Sequence, residues 1–265
     1  MYDILIIDDE AVINEAVIKI AETEGLKIDS CTNARDGLKK LEKDHYKITL
    51  CDIMMPEMNG FQLLNEVKSE SINTHVIMIT GFSTVENAVK SLHMGAIDFI
   101  PKPFTYDEII SSIYRGLEFC NLQERIRNSI NGNDDDTIIY VPCPPKYLKL
   151  GNTSWMNLEY EGAAVIGVTD LFLRTIKSLS SVELFDVDEI LIQGNTCSTL
   201  LTEDEIPHNI MAPIGGKIVE RNEKLLENFS LLEKDPYFEG WLYRIIPADI
   251  EYDMKYLTPC STDRV

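Results

Sequence analysis

The sequence predicts two domains: an α/β doubly wound parallel sheet, then a smaller mostly-β domain. Three observations carry this. Residues 1–120 alternate short continuous apolar runs with stretches whose apolar residues recur three and four apart. That is the pattern of doubly covered parallel strands joined by crossover helices. From about Ile138 the chain changes to short β-type runs separated by Gly, Pro, Asn and Asp, as in antiparallel sheets. Between the halves, Asn131-Gly132-Asn133-Asp134-Asp135-Asp136 breaks every pattern and reads as a linker. A length of 265 residues also suits two domains, at about 150 residues each.

Strand Ile4–Ile7 precedes a helix carrying Val12, Ile13, Val17, Ile20 and Ala21, closed by Gly25. Leu26–Cys31 returns as a strand, and Asn33 caps a helix carrying Leu38 and Leu41. Strand Ile48–Cys51 enters a turn containing Asp52, Pro56 and Gly60, followed by a helix from about Phe61 to Lys68 and strand Val76–Ile79. Ser83 and Glu86 read as a capping box for the helix of Val85, Val89 and Leu92. Strand Ile97–Ile100 follows, and Thr105 with Glu108 forms a second box, opening a helix that runs to about Ile130. A flavodoxin-like order of the five strands places the first and third side by side, where ligands bind beyond the strand ends. In the second half the β-type runs are Ile138–Val141, Ala163–Val168, Val182–Phe185, Ile190–Ile192, Ile218–Val219 and Trp241–Ile246. Short helices are expected near 170–179 and 222–228. The expected boundaries are 1–120, a helical extension and acidic linker 121–136, a second domain 137–258, and a tail 259–265.

The net charge is −20 and the sequence pI about 4.5. Residues 1–130 carry 13 Lys/Arg and 21 Asp/Glu, and residues 131–265 carry 11 and 23. Neither half has the basic excess that nucleic-acid binding requires, so no nucleic-acid partner is expected. No basic segment precedes a long apolar one at the N-terminus, and no apolar run approaches the roughly 20 residues of a membrane span. The six cysteines (31, 51, 120, 143, 197, 260) lack metal-finger or CxxC spacing. They read as reduced core thiols of a cytoplasmic protein. Cys197 reads as a packed thiol, since no basic neighbour would stabilise its thiolate.

Four apolar runs of the first half end on polar residues: Asp8-Asp9, Asp52, Thr80, and Lys102 after Pro101. The topology gathers them at one edge. Each residue alone reads blandly: a helix cap, a turn, a solvated lysine. Together they form an acidic cleft with one ammonium and one hydroxyl. A carboxylate can accept a phosphoryl group as an acyl phosphate, provided a metal ion and a cation meet the dispersed negative charge. Magnesium suits carboxylate oxygens. Asp52 is the candidate nucleophile, Asp8 and Asp9 would hold the metal with it, and Lys102 would neutralise a phosphoryl oxygen. Thr80 could donate to the phosphorylated form.

These motifs resemble the receiver domain of two-component response regulators: Asp8-Asp9-Glu10, Asp52-Ile53-Met54-Met55-Pro56 with Asn59-Gly60, Thr80-Gly81, and Lys102-Pro103-Phe104. The resemblance implies an aspartyl-phosphate at Asp52, with Lys102 and Thr80 assisting. Magnesium would be held by Asp9, Asp52 and the backbone carbonyl of Met54, with Asp8 acting through water. Thr80 and Phe99 would be the switch pair, and a sensor histidine kinase the donor. No other enzymatic activity is expected.

The second half resembles the H protein of the glycine cleavage system, a barrel-sandwich hybrid of the lipoyl type. The matching residues are Trp155, Gly167-Val168-Thr169-Asp170, Ala212-Pro213-Ile214-Gly215-Gly216, Val219-Glu220-Arg221-Asn222, and Asp235 through Leu242. That family carries its lipoyl group on a hairpin lysine. Here the position falls on Asp204, counting from Gly194, or on Glu205, counting back from Ala212. Neither can form the amide, so no lipoate is expected. The whole reads as a response regulator whose output domain docks a protein, with a homodimer contact through the last receiver helices as a further expectation. The alternatives are a scaffold or decoy for glycine-cleavage or lipoate-handling enzymes, and a transcription factor, which the charge disfavours.

Overall fold

The computed structural model describes residues 3–81, 84–130, 139–159 and 162–263. The chain divides into two compact units, Met1–Asn121 and Leu122–Val265.

The first unit alternates β1 (Ile4–Ile7), α1 (Ala11–Thr23), β2 (Ile28–Cys31), α2 (Ala34–Lys43), β3 (Ile48–Asp52), α3 (Gly60–Ser69), β4 (His75–Thr80), α4 (Val85–Met94), β5 (Asp98–Pro101) and the first part of α5 (Tyr106–Ile130), which continues past Asn121. The five strands are parallel, in the order β2-β1-β3-β4-β5. Every residue of β1 and β3 is buried, which is why their sequences are continuous apolar runs rather than alternating ones. Ile4, Ile6, Ile48, Leu50, Ile77 and Ile79 meet Val17 of α1 and Ile109 and Ile113 of α5 in one core. Gly116 lets α5 approach the sheet: a methyl there would lie 2.7 Å from Ile48 Cδ1.

Asn33 caps α2 by accepting from the Asp36 amide at 2.8 Å. Thr105 and Glu108 satisfy each other's amides at the start of α5. The cap of α4 is Thr84, accepting from Asn87 N at 3.2 Å; Ser83, read as that cap, lies outside the described residues. The linker 131–136 lies outside them too.

The second unit runs β6 (Leu148–Leu150), β7 (Ser154–Leu158), β8 (Ala164–Val168), α6 (Asp170–Leu173), β9 (Leu179–Leu184), β10 (Ile190–Leu191), β11 (Thr196–Thr202), β12 (Pro207–Met211), β13 (Gly216–Arg221), α7 (Glu223–Glu227), α8 (Ser230–Lys234), β14 (Trp241–Pro247), α9 (Ile250–Asp253) and β15 (Thr258–Pro259). A seven-stranded antiparallel sheet has the order β10-β13-β14-β8-β7-β6-β15, and a three-stranded one the order β12-β11-β9. Trp155 is fully buried, donates to the Val168 carbonyl at 2.9 Å and packs against Tyr147 and Tyr237. Gly167 makes room for it: a methyl there would lie 2.5 Å from the indole.

The structure departs from the sequence expectations at three places. Residues 139–141 are not a strand; they are tied down by polar contacts, Val141 N donating to Asp170 Oδ2 at 2.6 Å and Tyr237 Oη to Val141 O at 3.1 Å. The helix expected over 170–179 stops at Leu173, because Leu179 already pairs with Thr202. At the start of the segment expected as a tail, β15 pairs with β6, and Cys260 N donates to Tyr147 O at 2.9 Å. Cys143 and Cys260 are not reduced thiols but a disulfide, Cα atoms 5.6 Å apart and 117 residues apart in sequence. No spacing rule joins residues so distant; the sheet brings them together.

Candidate functional site

Asp8 and Asp52 end the buried part of β1 and β3, which lie side by side. Burial of the strands carries their carboxylates in with them, to 1% and 4% exposure. Asp9, one residue further, is exposed. Carboxylate oxygens of Asp8, Asp9 and Asp52 lie within 4.8 Å of one another. Lys102 follows β5, and its amide donates to the Thr80 carbonyl at 2.8 Å. Its side chain is nearly buried, with Nζ 2.6 Å from Asp8 Oδ2 and 3.5 Å from Asp52 Oδ1. Thr80 is fully buried at the end of β4, and Phe99 is buried on β5. The strand ends thus bring together Asp8, Asp9, Asp52, Thr80 and Lys102.

Asp52 Oδ2 accepts from the Met54 amide at 3.0 Å, so Met54 shares the turn that carries the carboxylate. Burial raises the Asp52 carboxyl above its ordinary value against the pull of Lys102. Asp8 is raised for the same reason. Burial opposes the Lys102 charge, but its contacts with Asp8 and Asp52 outweigh that and raise the ammonium. The buried atoms Asp8 Oδ2 and Asp52 Oδ1 receive no aligned hydrogen bond; Lys102 faces both as an ion pair. Two buried carboxylate oxygens short of donors, with a third carboxylate beside them, fit a hard divalent cation.

Two supporting residues had no role in the sequence reading. Asn14, buried on α1, donates to the carbonyls of Asp8 (2.9 Å) and Cys31 (3.3 Å), tying the ends of β1 and β2. An Asn among the apolar residues of α1 was the signal. Gly60, the first residue of α3, touches the turn itself. A methyl there would lie 2.3 Å from Asp52 O and 2.9 Å from Met78 Cε. Gly60→Ala is expected to destabilise the protein by about 1–3 kcal/mol. Unchanged urea or thermal unfolding would remove that close approach as the reason for the glycine.

In the second unit, Glu203–Ile206 form the tip of the β11–β12 hairpin. Asp204 and Glu205 both sit there. Asp204 Oδ1 accepts from Thr202 Oγ1 at 2.6 Å, and Lys177 Nζ lies 2.7 Å from Asp204 Oδ2. These contacts hold the Asp204 carboxyl below its ordinary value, Lys177 contributing most. Glu205 has φ +61°. Cys197 is fully buried, and burial pushes its thiol up to about 12; it is packed and unreactive.

A family model for the response regulator receiver domain matches residues 4–114, and one for the glycine cleavage H-protein matches residues 146–262. The chain therefore carries a receiver domain followed by an H-protein-like domain. Its first domain is similar to regulatory protein AtoC of Escherichia coli, 34% identical over 125 residues, covering 47% of this chain and 27% of that protein. It is also similar to the transcriptional regulatory protein CpxR homolog of Haemophilus influenzae, 35% identical over 113 residues, covering 43% and 49%. The chain spans between a quarter and a half of the length of these curated relatives. A crystal structure of a glycine cleavage system H protein from Mycobacterium marinum aligns at 22% identity and a TM-score of 0.37, covering 43% of this chain and 97% of that one. Among the described residues no helix is long and apolar enough to cross a membrane.

Proposed function

We propose that the protein is a phosphorylation-dependent response regulator in which Asp52 accepts a phosphoryl group from a sensor histidine kinase. The observation that carries this is the buried Asp8–Asp52–Lys102 cluster with Asp9 at the strand ends. Magnesium, held by Asp9, Asp52 and the Met54 carbonyl with Asp8 through water, would supply positive charge opposite the transferred oxygens. Asp52 attacks phosphorus, the bond from phosphorus to the donor imidazole breaks, and Lys102 takes a phosphoryl oxygen. Thr80 donates its hydroxyl to the phosphorylated form, and Phe99 moves with it as the switch pair. Beyond this transfer and hydrolysis of its own phosphoryl group, the protein catalyses nothing.

The output, in this reading, is protein docking by an H-like domain without lipoate. The acids at the hairpin tip support it: Asp204 is engaged with Lys177 and Thr202, and no lysine stands between Lys177 and Lys217. A transcriptional role is a second reading, favoured by the names of the matched regulators; against it stands an acidic second half matched by the H-protein model. The domain limits, a dimer through α4 and α5, and a cytoplasmic location, which the Cys143–Cys260 disulfide leaves resting on the receiver domain alone, belong to the same proposal.

The test is the intact mass of the protein purified from its own host, before and after magnesium and acetyl phosphate. The reading expects the bare chain at the start and a gain of one phosphoryl group, lost in Asp52→Ala. A lipoyl adduct in the starting mass would overturn the output half of the proposal. An unchanged mass after treatment would overturn the other half.

A further inference from the structure

Three carboxylates share Lys102, and one of them is exposed. Glu10 Oε1 lies 3.2 Å from Lys102 Nζ, beside Asp8 at 2.6 Å and Asp52 at 3.5 Å. The Glu10 amide donates to Asp8 Oδ1 at 3.0 Å, which fixes its backbone, but its side chain is 64% exposed. Asp8 and Asp52 are confined by burial. Glu10 can leave Lys102 for solvent by breaking one screened ion pair, worth little in itself. A phosphoryl group on Asp52 adds negative charge that needs the same ammonium. Glu10 therefore competes for Lys102, and it also places a negative charge where an anionic donor must approach.

We propose that Glu10 is a charge filter: it holds Lys102 in the resting protein and suppresses phosphoryl transfer from small free anionic donors, more strongly the greater their charge. This rests on the reading of Asp52 as the acceptor. The chemistry of the step is unchanged. The bond from phosphorus to the donor's leaving atom breaks, that atom keeps both electrons, and a bond to an Asp52 oxygen forms. Glu10 makes no bond to phosphorus; it is a positioning residue.

A simple structural tie between Glu10 and Lys102 would be indifferent to the donor's charge, so donors of different charge separate the two roles. The full-length protein and Glu10→Gln are compared with acetyl phosphate, a dianion near neutral pH, and phosphoramidate, a monoanion. The rate of mass gain is followed against donor concentration with magnesium saturating, at low and high potassium chloride. Glu10→Gln is expected to lower the half-saturating concentration of acetyl phosphate about threefold or more, and that of phosphoramidate less than about twofold. Both shifts should shrink at high salt, and Glu10→Asp should stay closer to wild type than Glu10→Gln does. Equal shifts for the two donors, or shifts indifferent to salt, would sink the filter while leaving Asp52 as acceptor. A wild-type chain that takes no phosphoryl group from either donor would sink the acceptor reading, and this inference with it.

Discussion

Asp52→Asn is expected to take up no phosphoryl group and, in chelator, to melt several degrees above the wild-type protein. The first part follows from the chemistry: an amide oxygen cannot replace the carboxylate as nucleophile. The second follows from the site. Asp52 lies buried among Asp8, Asp9 and Lys102, with Oδ1 lacking an aligned donor. Burial raises its carboxyl, so the ionised form is held at a disadvantage in the fold. Asparagine removes that charge and can still accept from the Met54 amide. Lys102 keeps Asp8 and Glu10. The gain is about 1 kcal/mol, within the range that single stabilising substitutions commonly give, and corresponds to several degrees in a domain of this size. Magnesium should reverse the order. It stabilises the protein that binds it by up to about 2.7 kcal/mol at a hundredfold excess over Kd, and Asp52→Asn lacks one of its ligands. Calorimetry with and without magnesium reads this directly. A variant less stable than wild type in chelator would mean that Asp52 supports the fold rather than straining it.

The second large effect lies in the other domain. Cys143→Ser with Cys260→Ser is expected to lower the stability of the H-like domain by as much as about 4–5 kcal/mol. Their disulfide closes a loop of more than a hundred residues, and a loop of that size is worth about 4.7 kcal/mol in the chain-entropy account. Both cysteines are buried beside Tyr147, Trp155 and Tyr237, so the serines add the further loss of two packed sulfurs. Trp155 and Trp241 are the chain's two tryptophans, and both lie in this domain. Their fluorescence during denaturation therefore reports it selectively. Alkylating the denatured, unreduced protein should label Cys31, Cys51, Cys120 and Cys197 and spare the other pair. Six labelled cysteines would show that the pair is not oxidised in solution, and the serine variant should then lose far less.

The receiver site was legible because each of its side chains ends a buried run. Asp8, Asp52 and Thr80 stand where an apolar strand ends, and parallel topology sends all such ends to one edge. The same logic failed in the second half. β11, Thr-Cys-Ser-Thr-Leu-Leu-Thr, and β12, Pro-His-Asn-Ile-Met, interleave polar and apolar residues with no apolar run. An antiparallel hairpin with one solvated face needs none. β15 is two residues long and exists because β6 is beside it.

The two-domain plan, the parallel sheet, the helix caps at Asn33 and Thr105, the set of residues at the acidic cleft and the lack of a lysine at the hairpin tip are all written in the chain segment by segment. These follow from local period and residue type, which the chain states one segment at a time. The tertiary structure decided what depends on approach between distant segments. It brought Glu10 to Lys102, Asn14 across two strand ends, Gly60 against the Asp52 carbonyl, Lys177 to Asp204, and Cys143 to Cys260. Each is a contact between backbones or side chains whose separation along the chain says nothing of their distance in space.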